Sequence, residues 1–341
     1  MPRVLKIYMW PVWFLGLFGQ AKSFRANPII GSRLLNRLGL HMMRVVLARL
    51  VAHIRWFFLM GKMPKKLRQD YARDGFCVVE GFLDKEELAA IRAEVLSSAG
   101  EARQMVQGNT ATQRILLDHA YLANKPKLHA LSEDRTFVNM LSYAGAKATA
   151  PLLYIQRIRN GRLEGGADPQ KTMHSDTFHP TMKAWLFLED VTPEMGPFTY
   201  VRGSHRLTRE RFKWEYIRSC NAGRLSDGYS EKGSFRAGPE DLTAMNLPAP
   251  EGITARAGTL VIANTNGFHG RGQAAAGANR LEIWAYSRHN PFNPLPGFGL
   301  PFMNRIEHFF LHAYWRHMDK KAKSRGVPSS WHLISAREMF D

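Results

Sequence analysis

The 341 residues are 45% apolar, 11% aromatic and 22% charged, which excludes a disordered chain or a collagen-like repeat and allows a sizeable core. Two cysteines, Cys77 and Cys220, exclude a disulfide framework and a CxxC zinc site and fit a reducing compartment. Lys and Arg number 47 against 29 Asp and Glu, yet residues 1–69 hold thirteen of the cations and no acid, while residues 70–300 hold 27 against 25. The basicity belongs to an N-terminal segment. A nucleic-acid enzyme more often spreads its basic face over the working domain, so no nucleic-acid partner is expected.

In chain order, Ile7–Ala21 is uncharged but short of the about 20 apolar residues of a membrane span, and it contains Pro11. Pro2–Lys6, Ile7–Gly19 and Gly19-Gln20-Ala21 also fit the three regions of a signal peptide. Against that reading, the basic apolar character runs on well past the cleavage point. Residues 8–19 are rich in Trp and Phe, which settle at a headgroup boundary. Residues 30–60 read as one or two helices. On a helical wheel Arg33, Arg37, His41, Arg44 and Arg55 fall within about 80° of one another, opposite Leu, Val and Phe. That pattern suits an interfacial helix on anionic lipid and equally a helix packed on the protein's own body. Lys62–Arg68, with Pro64, reads as a linker.

From Asp70 the chain changes character. A short helix precedes a strand at Phe76–Glu80, and a second helix opens at Asp84, with Glu87 at capping-box spacing. Strand-like runs follow at Leu152–Ile158, Ala184–Leu188, Phe198–Val201, Thr259–Ala263 and Leu281–Ser287. Their spacing suits an antiparallel sandwich or barrel with helices outside. Residues 291–301 are rich in Pro and Gly and lead to a helix at Met303–Lys321.

The chemistry concentrates in His174-Ser175-Asp176. On an extended chain residues i and i+2 share a side, so His174 and Asp176 can offer an imidazole nitrogen and a carboxylate oxygen to one metal. A further His would complete a two-His, one-carboxylate face that suits Fe(II). Residues 259–287 supply a strand, His269, a Gly-rich loop, and Arg280 opening the next strand. A guanidinium there can grip a carboxylate with its planar fork. No Gly-rich phosphate loop or nucleophile elbow appears.

Together with Asp74–Leu83, Trp185, Met195-Gly196-Pro197 and Arg202-Gly203-Ser204-His205, this pattern resembles the phytanoyl-CoA dioxygenase family over about residues 70–290. His269 and Arg280, eleven residues apart, carry the family's spacing. The resemblance implies a mainly β fold: a double-stranded β-helix (jelly-roll) core with flanking helices. It implies Fe(II) on His174, Asp176 and His269, with 2-oxoglutarate and O2 as cosubstrates. Arg280 is then expected to hold the distal carboxylate of 2-oxoglutarate, and Trp185 to lie near the cosubstrate or in the core. Gln156 is expected to bond cosubstrate or substrate, or to be a surface glutamine. Arg271 stands where the family often has Ser; it is expected to add a second cation toward 2-oxoglutarate or to reach an anionic substrate. Asp176 favours hydroxylation over halogenation, because halogenating relatives lack the carboxylate. The short loop from Asp176 to Trp185 implies a lid from elsewhere, from residues 102–120 or 206–245.

The expected organisation is a basic apolar membrane-associating module at 1–69, the oxygenase at 70–290, and a Pro/Gly-rich connection with a helical tail at 291–341. The expected reaction hydroxylates an unactivated C–H bond of a lipid, acyl chain or other membrane-presented substrate, releasing succinate and CO2. The alternatives are a soluble hydroxylase of a small or CoA-linked metabolite, and a non-catalytic jelly-roll scaffold. The expected location is cytoplasmic, peripheral at an anionic membrane surface, and a chain beginning near Lys65 is expected to stay soluble and keep iron. His179 is expected to be a polar loop residue and His205 structural. His41, His53, His312 and His317, on predicted helices, are expected to be solvated or membrane-facing.

Overall fold

Period-two alternation of side chains organises the computed structural model, which describes residues 8–161, 166 and 168–340. Pro2–Lys6, the basic start of the signal-like stretch, lies outside the described residues. The strands are β1 (Phe76–Val79), β2 (Glu101–Gln107), β3 (Thr110–Leu116), β4 (Leu152–Asn160), β5 (Met182–Phe187), β6 (Phe198–Tyr200), β7 (Glu251–Ile253), β8 (Leu260–Asn264), β9 (His269–Arg271), β10 (Asn279–Ser287) and β11 (His332–Ser335). Eight of them form one antiparallel sheet in the order β1-β8-β5-β10-β4-β3-β2-β11, and β7-β6-β9 form a short second sheet. This is the double-stranded β-helix that the resemblance implies, with the predicted strands in place.

β10 shows how the layers divide. Leu281, Ile283 and Ala285 point outward into a core shared with Ile91, Val95, Phe137 and Leu141 of two flanking helices, Lys85–Leu96 and Arg135–Ala144. Arg280, Glu282 and Trp284 point inward, where Trp284 joins Trp185, Phe187 and Phe198 between the sheets. The inner face mixes charged and aromatic side chains, so it is a site as well as a core. The Lys85–Leu96 helix opens on the expected box: the Asp84 carboxylate accepts from the Glu87 N–H, and Glu87 reaches back to the Asp84 N–H.

The N-terminal segment differs from its sequence reading. Its long helix, Leu40–Phe58, turns much of its basic stripe inward: Arg44 and Arg55 are buried. Arg44 donates to the carbonyls of Leu17, Gly19 and Ala21 and lies 4.3 Å over the Phe178 ring. Arg55 donates to the carbonyls of Asn290 and Asn293. Arg49 donates to His205 O and Asn266 Oδ1. His41 is buried against Glu215 at 3.1 Å, not solvated or membrane-facing. Guanidinium groups can be buried when carbonyls from other segments satisfy their donors, and partners so far off in sequence leave no trace in helical periodicity. The face left exposed is apolar, with Met43, Leu47, Leu50, Ile54 and Phe57 at helical spacing. The Lys62–Arg68 stretch is no linker: Pro64 caps a helix, Lys65–Asp74, that stops at Gly75 with φ +90°. At the other end the Pro301–Lys323 helix is followed by β11, which pairs with β2 and extends the sheet, so residues 291–341 are more than a helical tail.

Candidate active site

His174 and His269 are cross-strand neighbours. Each backbone N–H donates to the other's carbonyl at 2.9 Å, and the imidazole centroids lie 4.5 Å apart. His174 Nδ1 bonds Thr172 O at 2.8 Å and His269 Nδ1 bonds Gly267 O at 2.9 Å. A carbonyl accepts only, so both Nδ1 atoms carry the proton and both Nε2 atoms present a lone pair. Asp176 Oδ1 lies 3.8 Å from His174 Nε2 and 3.6 Å from His269 Nε2. One ligand atom from each residue falls within 4.8 Å of the others. His269 Nε2 is buried without a hydrogen-bond partner. A buried lone pair with nothing to accept is costly unless a cation takes it, and two nitrogens with one carboxylate suit Fe(II). The residues present therefore fit the metal.

Electrostatics prepare the same state. Burial pushes the His269 imidazole down to about 4, with Asp176 opposing and Lys183 adding to the shift. Burial, then the neighbouring His269, holds His174 well below the usual imidazole range. Burial pushes the Asp176 carboxyl up, but the Lys183 ammonium and the two imidazoles outweigh it and keep it well below the usual carboxylate range. Lys183 Nζ sits 2.7 Å from Asp176 Oδ2. Neutral imidazoles and an ionised carboxylate are what a metal requires.

The donor cluster opens on a cavity of about 660 Å³. Arg280 lies in it, 3% exposed, with Nε donating to Glu282 Oε2 at 2.7 Å and Nη1 to Gly196 O at 2.5 Å. Gln156 is no surface glutamine. It is buried on β4 opposite Glu282, donates to Glu282, and accepts from Arg114 Nε at 2.6 Å. Arg114 in turn lies 3.6 Å over the Trp284 ring. Trp185 lines the cavity and stacks on Phe198 with centroids 4.1 Å apart, so it is both core and wall. Arg271 also lines the cavity, its Nη1 held 2.6 Å from the buried Asp168. The backbone at Gly270 packs closely on the segment that follows Asp168: a Cβ there would meet the Met173 side chain and lie 3.0 Å from Gln170 O.

Several residues of the site have no counterpart among the predicted ones: Arg114, Lys22, Lys183 and Arg236 in the lining, and Asp168 and Glu282 buried behind it. Glu282 and Lys183 were readable, because each lies two residues from a predicted site residue, Arg280 and Trp185, on the same strand. Lys22 had no local signal. It enters from the N-terminal segment and donates to Asp176 O. Burial, opposed by Asp176 and aided by Arg288, Lys183 and Arg236, lowers its ammonium to about 8. The cover comes partly from residues 229–236, within the expected 206–245, and partly from Leu311 and Trp331; residues 102–116 form the β2–β3 hairpin of the sheet. His179 does lie on the loop between His174 and β5, outside this lining, but it is buried there and bonds Pro180 O. His205 bonds Ala72 O, as a structural residue does. His312 pairs with Asp118 at 2.7 Å.

The phytanoyl-CoA dioxygenase (PhyH) family profile matches residues 71–280. Curated relatives include the ectoine dioxygenases of Bordetella parapertussis and Bordetella bronchiseptica. Each is 27% identical over 256 residues, spanning 68% of this chain and 78% of the relative. Among solved structures, EctD from S. alaskensis with 2-oxoglutarate and 5-hydroxyectoine is 14% identical, with a TM-score of 0.42 over 68% of this chain and 80% of that one. With the profile covering well over half its length, the chain belongs to the phytanoyl-CoA dioxygenase family and is a 2-oxoglutarate-dependent dioxygenase that uses iron.

Proposed function

We propose that this dioxygenase hydroxylates a C–H bond of a small metabolite, with succinate and CO2 as co-products. His174, Asp176 and His269 would hold Fe(II), and Arg280 the distal carboxylate of 2-oxoglutarate. The convergence of two unprotonated Nε2 atoms and one carboxylate oxygen carries the reading. Iron supplies O2 activation when bound. The chain supplies placement: the Thr172 and Gly267 carbonyls fix both imidazole tautomers, and Glu282, itself held by Gln156, fixes the Arg280 fork. Trp185, Phe198 and Trp284 keep water from the inner wall. We take residues 70–290 as the catalytic unit, with residues from 1–69 and 291–341 walling its mouth. A small metabolite is favoured over a lipid because the curated relatives are ectoine dioxygenases. The test is succinate formation by purified protein with Fe(II), 2-oxoglutarate and fractionated cell metabolites. A small-metabolite fraction should accelerate turnover, and His174→Ala should abolish it. Stimulation by the lipid fraction alone would reverse the substrate assignment.

A membrane-presented substrate is the second reading, and a specific observation favours it. Met43, Leu47, Leu50, Ile54 and Phe57 on one helix and Phe302, Ile306, Phe309 and Phe310 on another are exposed. No described helix is long and apolar enough to cross a membrane, so attachment would be peripheral. Flotation with anionic and neutral liposomes decides it; protein that stays at the bottom of both gradients removes the reading.

A further inference from the structure

The cavity carries more positive charge than the proposed iron and 2-oxoglutarate can use. Among the described residues eight Lys and Arg side chains line it against one carboxylate, Asp176. Asp176 is paired with Lys183, and two carboxylates behind the wall, Glu282 and Asp168, neutralise Arg280 and Arg271. The two negative charges of 2-oxoglutarate balance the two of Fe(II). Five cations are left over: Lys22, Arg114, Lys232, Arg236 and Arg288. Among the described residues none of the five is in an ion pair, and all but Lys232 are half-buried. Like charges gathered in a partly desolvated pocket repel one another; among the described residues Asp176, Glu282 and Asp227 offset part of that repulsion for Lys22, Arg114 and Arg236, but none forms an ion pair with them.

Three of the five gather near Asp176. Lys22 reaches the Asp176 carbonyl, Arg236 flanks His174 across a β-bridge, and Arg288 leaves β10 at the end opposite Arg280. Arg280 and Arg288 are eight residues apart along one strand, roughly 26 Å of extended chain, far more than the length of a five-carbon diacid. One molecule of 2-oxoglutarate cannot engage both. Tyr229 and Tyr286 back this group, with Arg236 lying 4.3 Å over the Tyr229 ring.

Building on the dioxygenase reading, we infer that Lys22, Arg236 and Arg288 form a subsite for an anionic group of the substrate, a carboxylate or a phosphate. Mixed Lys and Arg donors bind either through charge-assisted hydrogen bonds, and a cavity lined with one sign of charge concentrates anions from solution. The N-terminal segment thereby serves specificity, since Lys22 belongs to it.

The test is calorimetric titration of the full chain loaded with Ni(II) and 2-oxoglutarate, which does not turn over. Phenyl phosphate and benzoate are the two anionic probes and benzyl alcohol the neutral one. At least one anion should bind tenfold or more tighter than the alcohol, and which one does separates phosphate from carboxylate. Lys22→Gln and Arg236→Gln, from separate segments, should each weaken that binding about tenfold while 2-oxoglutarate affinity stays within threefold. Anions that bind no better than the alcohol, or bind both variants as well as the parent, overturn the subsite. If 2-oxoglutarate itself does not bind, the dioxygenase assignment of the site fails instead, and the probes titrated against the unloaded chain still decide the anion question.

Discussion

Replacing Arg280 with lysine isolates the role of its fork. A guanidinium has five N–H donors. Here Nε–H is committed to Glu282 and one N–H of Nη1 to Gly196 O, leaving three for a cosubstrate. A lysine ammonium has three donors in all, and Glu282 and Gly196 compete for two of them. The variant therefore keeps its charge but loses one or two charge-assisted hydrogen bonds to the 2-oxoglutarate carboxylate. Such bonds are worth about 1.5–3 kcal/mol each, so losing one or two costs about 1.5–6 kcal/mol, or at least about tenfold in affinity. The assay is calorimetric binding of 2-oxoglutarate to Ni(II)-loaded Arg280→Lys, with metal affinity measured separately and expected to hold. A change of threefold or less refutes the reasoning. So does a comparable loss from Arg271→Ala alone, since Arg271 is already engaged by Asp168.

Removing residues 1–64 should give an insoluble chain or one without a cooperative melt, because Arg49 and Arg55 bind carbonyls and an amide of the remaining fold and Arg44 covers Phe178; a soluble, sharply melting product contradicts this. Glu215→Ala leaves His41 and Arg211 buried without their carboxylate and should cost about 3–5 kcal/mol, read from the denaturant midpoint; a loss under 1 kcal/mol would rule out the clamp. Burial, with Arg49 adding to it, pushes His205 from its ordinary 6.5 down to about 3, so the unfolded chain binds more protons between those values. Stability should fall as pH drops from about 6.5 toward 3, and His205→Gln should flatten that fall; a pH profile unchanged in the variant would contradict it.

The fold and the donor cluster were legible because both rest on local pattern. The inward-facing β strands alternate, His174 and Asp176 are two residues apart, and His269 and Arg280 keep a fixed interval along one strand–loop–strand unit. The β2–β3 hairpin was harder. Glu101–Leu116 is polar on much of its length, and its one clear signal is the two-residue turn Gly108-Asn109, flanked by Gln107 paired with Thr110. The N-terminal helix misled for a physical reason. Periodicity assumes that arginine seeks water, and Arg44 and Arg55 instead find carbonyls contributed by residues 17–21 and 290–293. Gln156 misled similarly, since its buried partners Arg114 and Glu282 come from two other strands. Lys22 could not have been read at all, because it lies 154 positions along the chain from the Asp176 it stands beside.

The most direct test of the central claim is an anaerobic titration with Fe(II) and 2-oxoglutarate, followed by the visible charge-transfer absorption of the iron–2-oxoglutarate chelate. The account predicts a band that saturates at one iron per chain and is lost in His174→Ala and His269→Ala, while Lys22→Gln retains it. A missing band in the parent chain, or a full-amplitude band in His269→Ala, would contradict it.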